Sequence, residues 1–233
     1  MRAYLLVALL GAAILPLGGT YLIAADNNWT SVQHNDSPQI TGSGRVIRQA
    51  RPISAAQAVE LSGAADVEVR VGPAPSLVVE ADDNLLPLFT SEVRGGTLKL
   101  ASKGSYRTRN TPRFFVTLPS LNSLQTSGSG DAVVIDARSS SLALGLKGSG
   151  NIRASGSAGL LDASIHGSGN LDLRQLAAGD AKLAIYGSGE ITAAPRGKVE
   201  AITFGSGDID LLSRPASLEV RRGGSGSVRT SNR

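Results

Sequence analysis

The chain has 233 residues, is 41% hydrophobic and 18% charged, carries a formal charge of +4 and contains no cysteine. That size fits one or two domains, and the missing cysteine excludes a disulfide framework, a thiolate metal site and a cysteine nucleophile. With 4% aromatic residues, and 28 glycines in no collagen period, it reads as a globular chain and excludes a nucleic-acid partner.

In chain order, "MRAYLLVALLGAAILPLGGTYLIAAD" opens with Arg2 and carries no further charge until Asp26. Two readings stay open for residues 1–25. Tyr4–Leu15 followed by Pro16 and small residues suits a cleaved signal peptide. Tyr4–Ala25 is also long enough to cross a bilayer as an uncleaved helical anchor, giving a membrane association. In either case Arg2 places the remainder outside the cytoplasm, in the periplasm or at the cell surface. No cysteine follows the segment, so lipoprotein anchoring is excluded. Residues 26–39 are polar, lack periodicity and read as a linker.

From about 40 to 120 the pattern is that of strands. "ADVEVRV" puts Val67, Val69 and Val71 on one face and Glu68 and Arg70 on the other. "DDNLLPLFTSEV" is the one candidate helical turn, with Asp83 as its N-cap and Pro87 limiting its length. Gly95-Gly96 between alternating runs predicts a hairpin, and "RFFVTLP" a buried strand. Lys99, Lys103, Arg107, Arg109 and Arg113 form a run without acids between 93 and 119. It reads either as a patch for an anionic envelope partner or as a solvated loop.

From 121 a repeat of about 19 residues takes over. Its mark is a Gly-Ser-Gly turn, with glycine pairs Gly128 and Gly130, Gly148 and Gly150, Gly167 and Gly169, Gly187 and Gly189, Gly205 and Gly207, and Gly224 and Gly226. Aligned on the turn, Ala132, Ile152, Leu171, Ile191, Ile209 and Val228 share one column. Val133, Arg153, Asp172, Thr192, Asp210 and Arg229 share the next, which faces outward. Before the turn Leu124, Leu144, Ala163, Leu183, Ala201 and Val220 align. Each unit is therefore strand, turn, strand. The register predicts an all-β, right-handed solenoid of two sheets joined by the turns, with Arg153 beside Asp172 and Asp210 beside Arg229.

These units, with "SGAADVEVRVG", "VVEADDNLLP", "VRGGTLKL" and "GSGRVIRQ" upstream, resemble the bacterial putative auto-transporter adhesin, head GIN domain family. The resemblance covers about 40 to 230. It implies a right-handed β-helix-like fold, no conserved catalytic apparatus, a role in cell adhesion and trimeric assembly. One departure is "ARPISAAQAVELSG", where Ile53 and Val59 stand in a stretch that in relatives often carries an aromatic residue.

Three candidate sites follow. The residues after the turns, Asp131, Asn151, Asn170, Glu190, Asp208 and Ser227, either bind calcium or hydrogen-bond along the stack; three carboxylates among six favour the second, and no cofactor or metal is expected. His166, Tyr186 and Phe204, each just before a turn, would form a contiguous aromatic ridge. That ridge either meets an envelope or surface partner, polysaccharide or protein, or is an internal ladder. A Ser-His-Asp group can be written from Ser168, His166 and Asp172, but nothing in the repeat sets a base on its nucleophile. The chain reads as a non-enzymatic binding or adhesion module. A structural periplasmic scaffold and a degenerate carbohydrate-active β-helix are the alternatives.

Overall fold

A computed structural model of the chain describes residues 39–231 in full and, before them, the backbone of three short strands. The chain divides into two units, 1–40 and 41–233. In the first, β1 (Ile14–Leu17), β2 (Thr20–Ala25) and β3 (Asn28–Gln33) make an antiparallel sheet in which Leu17 pairs with Thr20 and Ala25 with Asn28. Where the segment is described it is extended, and the expected N-terminal helix is not shown. Pro16 has no N–H to give a helix, and the β-branched Thr20 and Ile23 favour extended backbone. The other residues of the expected leader and half of the linker, His34 included, lie outside the described residues. No helix among the described residues is long and apolar enough to cross a membrane.

The second unit is the solenoid. In chain order it begins with β4 (Val46–Arg51), β5 (Ala58–Gly63), β6 (Asp66–Val71) and β7 (Ser76–Asp82). A 3₁₀ turn, Leu86–Leu88, leads to β8 (Phe89–Arg94), β9 (Thr97–Ser102) and β10 (Arg113–Leu118). The repeats supply β11 (Ser123–Gly128), β12 (Ala132–Gly148), β13 (Asn151–Gly167), β14 (Asn170–Gly187), β15 (Glu190–Pro195) and β16 (Lys198–Gly205). β17 (Asp208–Leu211), β18 (Ser217–Gly224) and β19 (Val228–Thr230) close the chain.

All repeat pairings are parallel and in register, as the aligned columns require. Leu124 sits beside Leu144, Leu144 beside Ala163, and Gly128 beside Gly148. One sheet stacks the strands before the turns, and the other stacks those after them. β12, β13 and β14 bend once, with a register shift beyond Val134, Arg153 and Leu173, and then form a short third ladder in which Ala137 meets Gly156 and Ala158 meets Ala178. This third run was hidden in the sequence, because its residues are small and polar and lack strand alternation.

The solenoid starts earlier than the repeat period. β5 pairs in parallel with β11, and β6 with β12, so Gly63-Ala64-Ala65-Asp66 is the first corner of the stack. Residues 72–121 loop away and return as a further coil: β9 lies parallel to β5, and β10 parallel to β6. Antiparallel β8, β7 and β4 finish this end. The Gly95-Gly96 hairpin has φ of +56° and +75° at its two glycines, as a tight reversal between twisted strands requires. The 3₁₀ turn replaces the expected helical turn. Its N-cap is Leu85, with no side-chain cap. Asp83 instead accepts hydrogen bonds from Ser43, Arg45 and the Asn84 amide.

The inward columns form one core. Large and small residues alternate between rungs, as in Leu144, Ala163, Leu183 and Ala201, all buried, so a narrow interior fills without voids. In the "ARPISAAQAVELSG" stretch Val59 is fully buried and Ile53 packs partly against the core.

Candidate functional site

The corners come first, because six of them repeat. The first glycine of each has φ near +125° to +145°, for example +129° at Gly148 and +140° at Gly167. This region is open to Gly and strained for other residues. Space is the stronger constraint. A Cβ on Gly167 would stand 2.2 Å from the Gly148 carbonyl oxygen of the coil beneath. The second glycine has no left-handed φ, yet a Cβ on Gly189 would stand 2.0 Å from the Gly169 oxygen. At the corner the side-chain direction runs along the stack, where successive coils lie only about 4.8 Å apart. Positive φ thus explains the first glycine, and the coil below explains both. Ala65 fills the second position of the first corner, where no Gly-Ser-Gly turn lies beneath.

The carbonyls so approached carry the ladder through the turn. Ser149 N–H donates to Gly128 at 3.0 Å, Ser168 N–H to Gly148 at 2.9 Å and Ser188 N–H to Gly167 at 2.9 Å. The column after the turn also bonds rung to rung. The Asp131 carboxylate accepts from the Asn151 amide N–H at 2.8 Å, Asn151 Oδ1 from Asn170 Nδ2 at 3.1 Å, and Asn170 Oδ1 from the Glu190 N–H at 3.1 Å. Asp208 accepts from both the hydroxyl and the backbone N–H of Ser227, which hold its carboxyl below the usual range. Asp66 extends the column by one rung, its carboxylate accepting from the Asp131 N–H at 3.0 Å. These oxygens serve the stack. Among the described residues no cluster of three or more His, Asp or Glu side chains is placed to hold a metal.

His166, Tyr186 and Phe204 occupy successive rungs of one column. His166 stacks on Tyr186 at 4.7 Å between centroids and 20° between planes, and Tyr186 on Phe204 at 5.8 Å and 13°. The rings stand out from the sheet with Tyr186 43% and Phe204 49% exposed. Lys147 is the exposed rung below His166. On the far side Gly223 leaves room for Phe204, since a Cβ there would stand 2.5 Å from the ring. Between the ridge and the neighbouring charged column, Ala184 and Ile202 face outward but are shielded. Stacking covers the ring faces with one another, so the column presents ring edges and the Tyr186 hydroxyl to solvent.

The basic run does not converge. Lys99 lies in one sheet and pairs with Glu60 at 3.3 Å; Arg113 lies in the other and pairs with Asp66 at 3.4 Å. Lys103 and Arg109 are exposed on the connecting segment, Arg107 is exposed in its two-residue strand Tyr106–Arg107, and none of the three makes an ion pair among the described residues. Buried Asp82 anchors this loop, accepting from Thr108 Oγ1 at 2.7 Å and Asn110 Nδ2 at 2.9 Å. Burial by itself would raise the Asp82 pKa, but these hydrogen bonds and the Gly44 N–H together lower it. A lowered folded-state value stabilises the protein above the unfolded carboxyl pKa of about 3.9 and loses that contribution as pH falls through the folded value. Thermal melts between about pH 6 and 2 are therefore expected to show an acid limb that Asp82→Asn flattens; equal acid limbs would contradict this anchoring.

His166 and Asp172 are not brought together. His166 stacks on Tyr186, while Asp172 accepts from Arg174 Nε at 2.7 Å and lies 3.9 Å from Arg153. Arg229 reaches Asp210 at 3.8 Å. The outward carboxylates are thus held by arginines one rung or two residues away.

Residues 57–215, the coils from β5 to β17, match the family model described as putative auto-transporter adhesin, head GIN domain. The chain belongs to this family. The head GIN fold is shared with solved structures of low identity. A putative adhesin from Bacteroides fragilis has a TM-score of 0.65 at 19% identity, over 82% of this chain and 100% of that one. A putative lipid binding protein from Parabacteroides distasonis has a TM-score of 0.57 at 24% identity, over 83% and 100%. A putative adhesin from Parabacteroides merdae has a TM-score of 0.51 at 17% identity, over 83% and 99%. No curated protein matches the chain.

Proposed function

We propose that this head GIN domain is an exported, non-enzymatic binding module of the cell envelope, and that it meets its partner along the aromatic ladder. The observation that carries the proposal is the three-rung column of His166, Tyr186 and Phe204, exposed on a rigid parallel sheet. Ring edges carry the positive side of the aromatic quadrupole, and Lys147 extends the column with a full positive charge. Such a strip suits a partner rich in acceptor oxygens, as an envelope polysaccharide is, and also a polar protein surface.

The family description as an adhesin supports a binding role. The engagement of Asp172 by arginines and of the turn column by backbone amides supports a non-enzymatic one. The interior is filled by aliphatic columns, so a lipid of the kind named for the Parabacteroides distasonis protein would have to be met on the surface. The test is binding of wild type and Tyr186→Ala to a glycan array and to isolated native envelopes. The expected result is a loss of about tenfold or more in affinity, the scale for an aromatic anchor, with the fold retained. Equal binding by the two proteins would dismiss the ladder as the binding surface and leave the scaffold reading.

A further inference from the structure

The two ends of the solenoid differ. At the end formed by β4, β7 and β8, Leu85, Leu86 and Phe89 bury themselves across the core. There Arg51 donates to the carbonyls of Phe89 at 2.6 Å and Leu86 at 3.0 Å. At the other end no described segment of the second unit lies over the last coil. β18 pairs with β16 along one edge, and β19 with β17. Leu218 and Val220 are 38% and 40% exposed, whereas Val199 and Ala201, one rung below in the same inward columns, are 0% exposed. An open edge with inward apolar residues is a template for a further strand.

We propose that this end is a self-association surface, on which a second copy of the chain pairs its own β18 antiparallel to the first. A single two-fold axis perpendicular to both sheets continues each of them into the partner, so one operation covers the whole end. Period-2 geometry limits the register, since inward residues must meet inward residues. The register that sets Val220 against the partner's Val220 places Glu219 opposite the partner's Arg221, and Arg221 opposite the partner's Glu219. Sliding to the next permitted register in either direction sets Glu219 on Glu219 or Arg221 on Arg221. Within one copy Arg221 donates to Glu219 at 2.8 Å and reaches Glu200 at 3.8 Å. In the selected register the same side chains also face the partner's opposite charges, whereas the slid registers add like-charge contacts, so charge favours one pairing. Arg222 points inward near the corner, a feature that by itself blunts an edge. In the selected register its aliphatic stem lies along the partner's Leu218, and its guanidinium stays at the open corner.

The experiment is sedimentation velocity on the full chain in a mild non-ionic detergent. Wild type is expected to be dimeric at micromolar concentration. Glu219→Arg and Arg221→Glu are each expected to weaken the dimer by about tenfold or more, because like charges then face each other. An equimolar mixture of the two variants is expected to recover a dimer, because both facing pairs become complementary. If either variant fails to fold by circular dichroism, Val220→Lys, expected to be monomeric, takes its place. Three results would overturn the proposal: a wild-type monomer or trimer, variants that associate as tightly as wild type (association through another segment, residues 1–38 included), or a mixture no tighter than its components.

Discussion

Gly167→Ala is expected to cost about 3–5 kcal/mol, a large share of the stability of an ordinary domain, and to leave little folded protein at physiological temperature. The added Cβ would lie 2.2 Å from the Gly148 oxygen and would also require φ of +140°. Two companion substitutions separate these causes. Gly95→Ala faces a left-handed φ of +56° with nothing within 4 Å, and is expected to cost only about 1–2 kcal/mol. Gly169→Ala has no left-handed φ but meets the Gly150 oxygen at 1.9 Å, and is expected to resemble Gly167→Ala. Urea unfolding midpoints give the order. If Gly169→Ala were as mild as Gly95→Ala, stacking would not be what requires glycine at the corners.

Phe114→Ala is expected to cost about 3–5 kcal/mol. Its ring is fully buried in the coil that returns before the repeats, edge-on to Phe89 at 5.9 Å and 81°, while Phe89 packs edge-on to Tyr106 at 5.4 Å. Phe114 pairs with Val67 on one side and Val79 on the other, so a cavity there loosens the junction between the closing strands and the first corner. Limited proteolysis should then cut first within residues 72–121, and the unfolding midpoint should fall. Val220→Ala, on the open end, is expected to cost well under about 1 kcal/mol in the monomer. Equal losses for the two would contradict the closed-end, open-end asymmetry.

The sequence disclosed the parts of the fold that repeat. The columns through Leu144, Ala163 and Leu183, the pairing of Arg153 with Asp172 and the alignment of His166, Tyr186 and Phe204 were legible, because parallel in-register stacking turns a sequence period directly into neighbours in space. What escaped notice lay where the period is interrupted. Ala65 stands where later corners carry glycine, and about fifty residues separate β6 from β11, so the first coil does not announce itself by spacing. The closing strands are antiparallel and non-repeating, and Arg51 and Asp82 serve them through contacts distant in sequence. The role of the second corner glycine was not legible, because the approach of a neighbouring coil is visible only in three dimensions. The basic run looked continuous in sequence, but strand topology sends Lys99 and Arg113 to different sheets.

The central claim is that the Gly-Ser-Gly corners build the stack, and that binding belongs to the aromatic column beside them. The most direct measurement is retention of the full chain on isolated native envelopes, comparing Tyr186→Ala with Ser188→Ala, two residues away in the same corner. The account predicts that Tyr186→Ala loses about tenfold or more in retention, while Ser188→Ala, whose backbone N–H to Gly167 is untouched, binds as wild type does. Loss of retention by Ser188→Ala with Tyr186→Ala unaffected would contradict it.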